Sequence, residues 1–373
     1  MRKTVGILGI PIDDLDMEEV LERIDAFVRS GRFHQVATAN TDFLINALTD
    51  HELRTILREA DLVVPDGMPL VIASRWLHAG LRERVTGADL VPRLAAQAAQ
   101  RGYRLFMLGG MPEVATKAKE RLETENPGLQ IVGCVSPPFA PIEEMDNEAL
   151  LAQIEEAHPH VLLVAFGNPK QEKWIYRHRH RLRVPVCMGV GGTFDFIAGA
   201  TVRAPVWMQR AGLEWFHRLV HNPRRLWKRY LTDILQFSRY IAYQVWMLRQ
   251  GASSMPPRLV VARVGECTVV SAHGLLDKRM LEEFQCVADK ALNEGTHLIL
   301  DFLGVTAIDS AILGTLLNLS KRATYVHREV RLVGLNEDVR RALRACHMED
   351  LYTVYPTLAD ALIGNTGGIL REV

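Results

Sequence analysis

A chain of 373 residues balances 44 lysines and arginines against 44 aspartates and glutamates, so its formal net charge is zero. That balance excludes a global pull toward nucleic acid or an anionic membrane; any such attraction has to be local. Hydrophobic content of 48% and charged content of 24% are those of an ordinary globular protein, long enough for two domains.

Thr4 to Ile10 reads as a first strand, because MRKTVGILGIPIDD has too short an apolar core for a signal peptide. Met17, Val20, Leu21, Ile24, Phe27 and Val28 then recur at helical spacing, with Asp16 and Glu19 as a capping box. Asp14-Leu15-Asp16 has the spacing of an acidic metal-binding pair, but its place before that helix favours a structural role. HQVATAN, LVVPDG and RLFMLGG give further strands; Met111-Pro112-Glu113 opens a helix after the Gly109-Gly110 turn. A helix over 147–157 leads into a strand over 161–166. This alternation predicts an α/β fold, a doubly wound Rossmann-like sheet. The five cysteines (Cys134, Cys187, Cys267, Cys286, Cys346) form no C-x-x-C pair and read as buried reduced thiols of a cytosolic protein.

The sharpest signal is VLLVAFGNPKQEKWI followed by VCMGVGGTFDFIAG. Each is an apolar run that breaks at glycine into a polar loop, as a buried parallel strand does where it ends at a ligand site. The first loop delivers Asn168, Lys170, Gln171 and Glu172; the second delivers Gly191, Gly192, Thr193 and Asp195. Together they suggest a pocket for a phosphorylated polar ligand. GVGGTF lacks the third glycine of a dinucleotide fingerprint, which argues against a nicotinamide dehydrogenase.

Other strand ends add candidates, each with a plainer alternative. Asp66 in VVPDGMPLV projects a carboxylate suited to a general base, or caps the helix starting near Pro69. Thr38 and Asn40 in VATANTDFL offer uncharged hydrogen bonds to a sugar or uracil, or simple turn chemistry. Arg84 in RVTGADL neutralises a phosphate or sits in solvent. Gly109 and Gly110 precede a helix whose N-terminus suits a phosphate. No His/Cys cluster offers a metal site, and no cofactor is expected.

Residues 201–250 differ in kind. Arg203, Arg210, Arg218, Arg224, Arg225, Arg229 and Lys228 mix with Trp207, Trp215, Phe216, Trp227 and Tyr230, and Glu214 is the only acid from 203 to 230. LTDILQFSRYIAYQVWML follows, apolar but interrupted by Asp233 and Arg239: a poor membrane span, and either a core-packed or an interfacial helix. A basic face seeking nucleic acid would give salt-sensitive binding. Residues 251–257 read as a linker. Beyond it LVVARV, CTVVSAHG, THLILDFLG and VRLVGL alternate with helices near 277–294, 310 and 336–347, before a last strand near 352–355. They make one small α/β domain. The expected organisation is a core over 1–200, a helical appendage over 201–250, the linker, and a second domain over 258–373.

TANTDFL, VPDGMPLV, RVTGADL, FMLGG, FGNPKQEKWI, GVGGTFDFIAG, RAPVWMQRAGLEWFHRL and NPRRLWKRYL together resemble, in order, the WecG/TagA/CpsF family of glycosyltransferases (glycosyltransferase family 26). The resemblance implies inverting, metal-independent transfer from a UDP-sugar donor to a polyprenyl-diphosphate-linked sugar acceptor. The transferred sugar is of N-acetylmannosamine, N-acetylmannosaminuronic acid or glucose type, and the product serves cell-surface polysaccharide or exopolysaccharide. The enzyme then lies on the cytoplasmic, inner face of the plasma membrane. The resemblance implies Asp66 as base, with Thr38, Asn40, Arg84 and Gln171 as active-site partners. It also implies that an Arg-rich appendage (Arg218, Arg224, Arg225, Arg229) meets the membrane and closes over the site. Nucleic acid is not an expected partner.

Residues 258–360 resemble a STAS domain, through LILDFLG, VTAIDSAILGTLLNL and VRLVGL. The usual D-S-S-G-L phosphorylation loop reads Asp309-Ser310-Ala311-Ile312-Leu313 here. The usual acceptor is thus Ala311, with Ser310 as a substitute, and docking to an unidentified protein partner is expected more than kinase control. The alternative reading of the whole chain is a non-catalytic STAS-type regulator that senses a nucleotide sugar.

Overall fold

The computed structural model describes residues 3–210, 213–221, 223–249, 257–364 and 368–369. The chain opens with β1 (Thr4–Ile7), β2 (Ile10–Asp13), α1 (Met17–Ser30), β3 (His34–Ala39), α2 (Thr41–Thr49), α3 (His51–Glu59), β4 (Leu62–Pro65) and α4 (Met68–Trp76). It continues through α5 (Gly87–Arg101), β5 (Arg104–Gly109), α6 (Pro112–Glu125), β6 (Gln130–Val135), α7 (Asn147–Ala157), β7 (Val161–Ala165), α8 (Lys170–His178), β8 (Val186–Gly189) and α9 (Thr193–Ile197). Then come α10 (Val206–Arg210), α11 (Glu214–His221), α12 (Pro223–Arg249), β9 (Arg258–Val264), β10 (Cys267–Leu276), α13 (Leu281–Asn293), β11 (His297–Ile308) and α14 (Ser310–Tyr325). Last are β12 (Val330–Val333), α15 (Glu337–Ala345), β13 (Thr353–Tyr355), α16 (Leu358–Ile363) and β14 (Gly368–Ile369).

By packing, the chain divides into two units, and each is drawn from separated stretches of sequence. One comprises Leu15–Pro69 and Arg82–Ile234; the other comprises Met1–Asp14, Leu70–Leu81 and Leu235–Val373. Apart from Pro257, the expected linker at 251–257 lies outside the described residues.

The first unit is built on a six-stranded sheet in the order β4-β3-β8-β7-β5-β6, with every neighbouring pair parallel. Its strands are apolar on both sides. Leu105, Met107, Val161 and Leu163 join one core with α1, α5 and α6; Phe106, Leu108, Leu162 and Val164 join another with Trp174 and Ile175 of α8. This is the doubly wound arrangement that alternating strand and helix patterns predict. The expected capping box forms at the start of α1: the Asp16 carboxylate accepts from Glu19 N, and the Glu19 carboxylate accepts from Asp16 N.

In the second unit the expected strand Thr4–Ile10 is a hairpin. Leu8 and Gly9 take positive φ (48° and 77°) and reverse the chain. β1 then pairs antiparallel with β2, from Thr4↔Asp13 to Ile7↔Ile10, in a two-stranded sheet of its own. The larger sheet of this unit runs β14-β13-β12-β11-β10-β9, parallel from β10 to β13 and antiparallel at both edges. Val270, Leu298, Leu300 and Leu332 from its strands pack with Phe284 of α13, Leu316 of α14 and Leu343 of α15.

None of the five cysteines is in a disulfide. Cys187, Cys267 and Cys346 are buried as expected, whereas Cys134 is half-buried and Cys286 is exposed on the polar side of α13.

α12 has one buried face, as the core-packed alternative expects, and one exposed face. Phe237, Ile241, Gln244 and Met247 are buried at helical spacing, while Leu231, Leu235, Tyr243 and Trp246 are exposed. Among the described residues, no helix is long and apolar enough to cross a membrane.

Candidate active site

All six strands of the transferase-like sheet run the same way, so their carboxyl ends share one edge. That edge receives Thr38 near the end of β3 and Asn40 after it, Asp66 after β4, Gly109 and Gly110 at β5, Asn168 to Glu172 after β7, and Gly191 and Gly192 after β8. In open parallel sheets this edge is where ligands bind.

Gln171 ties two of the loops together. Its Oε1 accepts from Gly167 N at 3.1 Å and from Gly191 N at 3.0 Å, and its Nε2 donates to Glu172 Oε1 at 2.8 Å. Glu172 is fully buried, and burial pushes its carboxyl up to about 8 against the hydrogen bond from Gln171. It is therefore mainly protonated at neutral pH. Its Oε2 has no hydrogen-bond partner among the described residues. Gly189 makes room for this pair: a Cβ there would lie 2.3 Å from Glu172 Oε1 and 2.5 Å from Gln171 Nε2. Thr38 Oγ1 donates to the carbonyl of the same Gly189 at 3.4 Å.

Asn40 does the work of a helix cap: its Oδ1 accepts from Phe43 N at 3.2 Å. Asn168 Nδ2 donates to Asp42 Oδ2 at 2.9 Å, which leaves Asn168 Oδ1 buried without a hydrogen-bond partner among the described residues. Lys170 turns to the loop before α7. Its ammonium donates to Ala140 O and lies 5.1 Å from the ring centroids of both Phe139 and Phe166. Burial lowers its pKa. Gly109, at φ 101°, lies against the end of β7, where a Cβ would meet Ala165 O at 2.7 Å. Gly110 N donates to that same carbonyl at 3.1 Å. Asp195 sits in α9, and its backbone carbonyl accepts from Thr201 N at 3.1 Å.

A charged network links the core of this unit to its appendage. Arg203 makes a two-pronged contact with Asp89, at 2.6 and 2.7 Å, and approaches Glu214 at 3.7 Å. Arg84 donates to Glu214 at 2.9 Å and stands 3.8 Å from Asp89. Burial works to raise the Asp89 pKa, but hydrogen bonds from Arg203 and Thr86 and the charges of both arginines hold it below the usual range. Arg203 also feels the charge of Asp66. The lone acid of the basic segment therefore pairs with the arginine of the RVTGADL string, and Asp66 lies within electrostatic reach of the group. Sequence reasoning singled out neither Arg203, Asp89 nor Glu214 as site residues. The available signals were Asp89 within RVTGADL, Arg203 within RAPVW, and the isolation of Glu214 among cations. The side chains of Arg218, Arg224, Arg225 and Arg229 lie outside the described residues.

Among the described residues, no three His, Cys, Asp or Glu side chains converge into a metal-binding group. Ser310 belongs to the other unit, where it begins α14 with its hydroxyl buried.

Residues 5–251 match the model of the glycosyl transferase WecG/TagA/CpsF family, about two thirds of the chain. The chain belongs to this family. It is a WecG/TagA/CpsF-family glycosyltransferase whose residues 258–361 match the STAS domain model. It is similar to the N-acetylglucosaminyldiphosphoundecaprenol N-acetyl-β-D-mannosaminyltransferase of Bacillus subtilis (strain 168), with 32% identity over 59% of this chain and 81% of the relative. The enzyme of the same name from Staphylococcus aureus (strain MRSA252) is 29% identical over 60% of this chain and 86% of its own length. Among solved structures, a putative anti-sigma factor antagonist from Thermotoga maritima matches 30% of this glycosyltransferase and 95% of its own chain, with 23% identity and a TM-score of 0.27.

Proposed function

We propose that this glycosyltransferase moves an N-acetylmannosamine-type sugar from a UDP-sugar to N-acetylglucosamine carried on a polyprenyl diphosphate, in the synthesis of a cell-surface polymer. The observation that carries the reading is Asp66 at the end of β4, within electrostatic reach of Arg203 and the Arg84–Asp89–Glu214 group. The relatives named above act on such a lipid-linked acceptor by name.

An acceptor hydroxyl is a weak nucleophile, and a carboxylate in hydrogen-bond reach takes its proton as the new glycosidic bond forms. Charge builds on the departing UDP, and Arg203, whose charge interacts with Asp66, together with Arg84, joined to it through Asp89 and Glu214, offsets it. Both arginines are already matched by Asp89 and Glu214, so a diphosphate entering here must displace Glu214 or draw further cations from the appendage. Attack from the face opposite the diphosphate inverts the anomeric centre, and the arginines take the charge-neutralising role of a metal ion. Asn168 Oδ1 is an acceptor suited to a donor N–H, such as that of uracil.

The appendage fits work at a membrane surface. Trp207, Phe216, Trp227, Leu231, Leu235 and Trp246 are exposed in a stretch rich in arginine. Aromatic and aliphatic side chains alternating with cations suit the interface of an anionic leaflet, and a UDP-sugar donor with a lipid-linked acceptor fits a reaction at the cytoplasmic face.

The test is a screen of UDP-sugars against a lipid-diphosphate N-acetylglucosamine acceptor, read by product mass, with and without chelator. Transfer from UDP-N-acetylmannosamine, undiminished by chelator, is the expected result. No transfer from any UDP-sugar ends the proposal, and collapse under chelator ends its metal-free form.

A further inference from the structure

Ten consecutive residues of α14, Ser310 to Leu319, are all buried. A helix on the side of one small domain buries a single stripe against its own core, so burial on every side needs a second cover. Ile312, Leu313, Leu316, Leu317 and Leu319 belong to the core of the STAS domain. The second cover is the hairpin β1–β2 from the other end of the chain.

The hairpin meets Ser310, Gly314 and Asn318, which recur every four residues and so line one face of the helix. Ser310 Oγ donates to Gly6 O at 2.6 Å, and Asn318 Nδ2 donates to Thr4 Oγ1 at 2.7 Å. Between them the two backbones touch. A Cβ on Gly314 would lie 2.5 Å from Thr4 O, and one on Gly6 would lie 3.0 Å from Gly314 N. Each glycine therefore meets backbone that cannot swing aside. From α12, Gln244 completes the enclosure: its Nε2 donates to Gly6 O at 2.8 Å, and its Oε1 accepts from Leu8 N at 3.0 Å. Polar groups that a lone two-stranded ribbon would leave open to other strands are thus satisfied by side chains from two helices. Val5, Ile7, Leu8, Ile10 and Ile12 are almost entirely buried.

We propose that the Ser310–Gly314–Asn318 face of α14 is a docking surface whose resident occupant is the chain's own N-terminal hairpin, and that an outside protein reaches this face only by displacing the hairpin. The STAS domain is then tied to the start of the transferase sequence rather than carried as a free module. The Ser310 hydroxyl is already spent on Gly6.

Hydrogen–deuterium exchange on the full-length protein tests this. Gly314→Ala places a methyl against Thr4 O and improves the helix itself. Peptides covering residues 4–13 should exchange roughly tenfold faster or more in that variant, with β11 and β12 as protected as in wild type. Asn318→Ala, which removes one hydrogen bond and adds no clash, should move the same peptides in the same direction by less. Ser310→Cys gives a second readout by maleimide labelling of the peptide containing position 310. Labelling should be slow in that variant alone and about tenfold faster when Gly314→Ala is added. The proposal is overturned by a hairpin that exchanges freely in wild type, by equal protection in Gly314→Ala, by β11 and β12 loosening along with the hairpin, or by fast labelling of Ser310→Cys alone.

Discussion

Asp66 and Asp309 stand in the same local grammar: an apolar parallel strand, an aspartate, then a helix. The role proposed for Asp66 sets it apart from Asp309, whose task is structural. Asp309 turns back on the backbone. Its carboxylate accepts from Ala311 N, Ile312 N and Lys278 N, each at 2.9 Å, and so closes the start of α14. Burial pushes it up to about 6, with the backbone hydrogen bonds pulling the other way. Asp66 is set off from α4 by Gly67, and its charge is felt by Arg203. A strand-end carboxylate held by several N–H groups is committed to structure, whereas Asp66 carries the proposed base role next to a charged network. Glu172 is a third kind of carboxyl: buried, paired through one oxygen, and kept neutral.

The sharpest way to break this contrast is Asp66→Asn. It should lower transfer by about 10²–10⁴-fold, the usual worth of a general base, while UDP binding measured by calorimetry stays near wild type. Normal turnover would assign the base elsewhere.

Glu172→Gln comes next and carries a pH signature. The folded value of about 8 lies above the ordinary carboxyl value of 4.5, so the native state holds the extra proton between the two. Wild-type stability should therefore fall as pH rises through that window, by a few kcal/mol at most, and level off above it. The glutamine keeps an acceptor for Gln171 and should flatten the slope in denaturant titrations at pH 5, 7 and 9. An unchanged slope would mean Glu172 ionises freely.

Gly189→Ala should cost ~1–3 kcal/mol by thermal unfolding, because its methyl meets the Gln171–Glu172 pair. Gly192→Ala, whose nearest neighbour lies at 3.6 Å, is the control and should shift stability little. The smallest effect belongs to Asp309→Ala, which loses a helix cap worth about 1 kcal/mol and leaves sugar transfer as it was. A loss of transfer there would erase the distinction between the two aspartates.

Much of the transferase fold was legible because parallel strands buried on both faces leave unbroken apolar runs, as in VLLVAF and RLFML. The carboxyl-edge loops were legible for the same reason, since each begins where such a run meets glycine. The hairpin was not. Its turn rests on Leu8 at positive φ, a conformation that local propensity does not predict for leucine. The charged network was also hidden: Arg84 and Glu214 are 130 residues apart, and no spacing rule joins them. Asn40 shows the reverse case. Sugar binding and plain turn chemistry are equally open in the sequence, and here its Oδ1 caps α2.

The hairpin and its seat on α14 are separated by 304 to 314 positions along the chain. At about 5–20 residues per second, a ribosome needs roughly 15–60 s to travel from one to the other. Through that interval five apolar side chains and the amide edges of β1 and β2 wait without their final shelter. Biogenesis of this enzyme is therefore exposed to whatever holds, cleaves or aggregates the hairpin until α14 has been made.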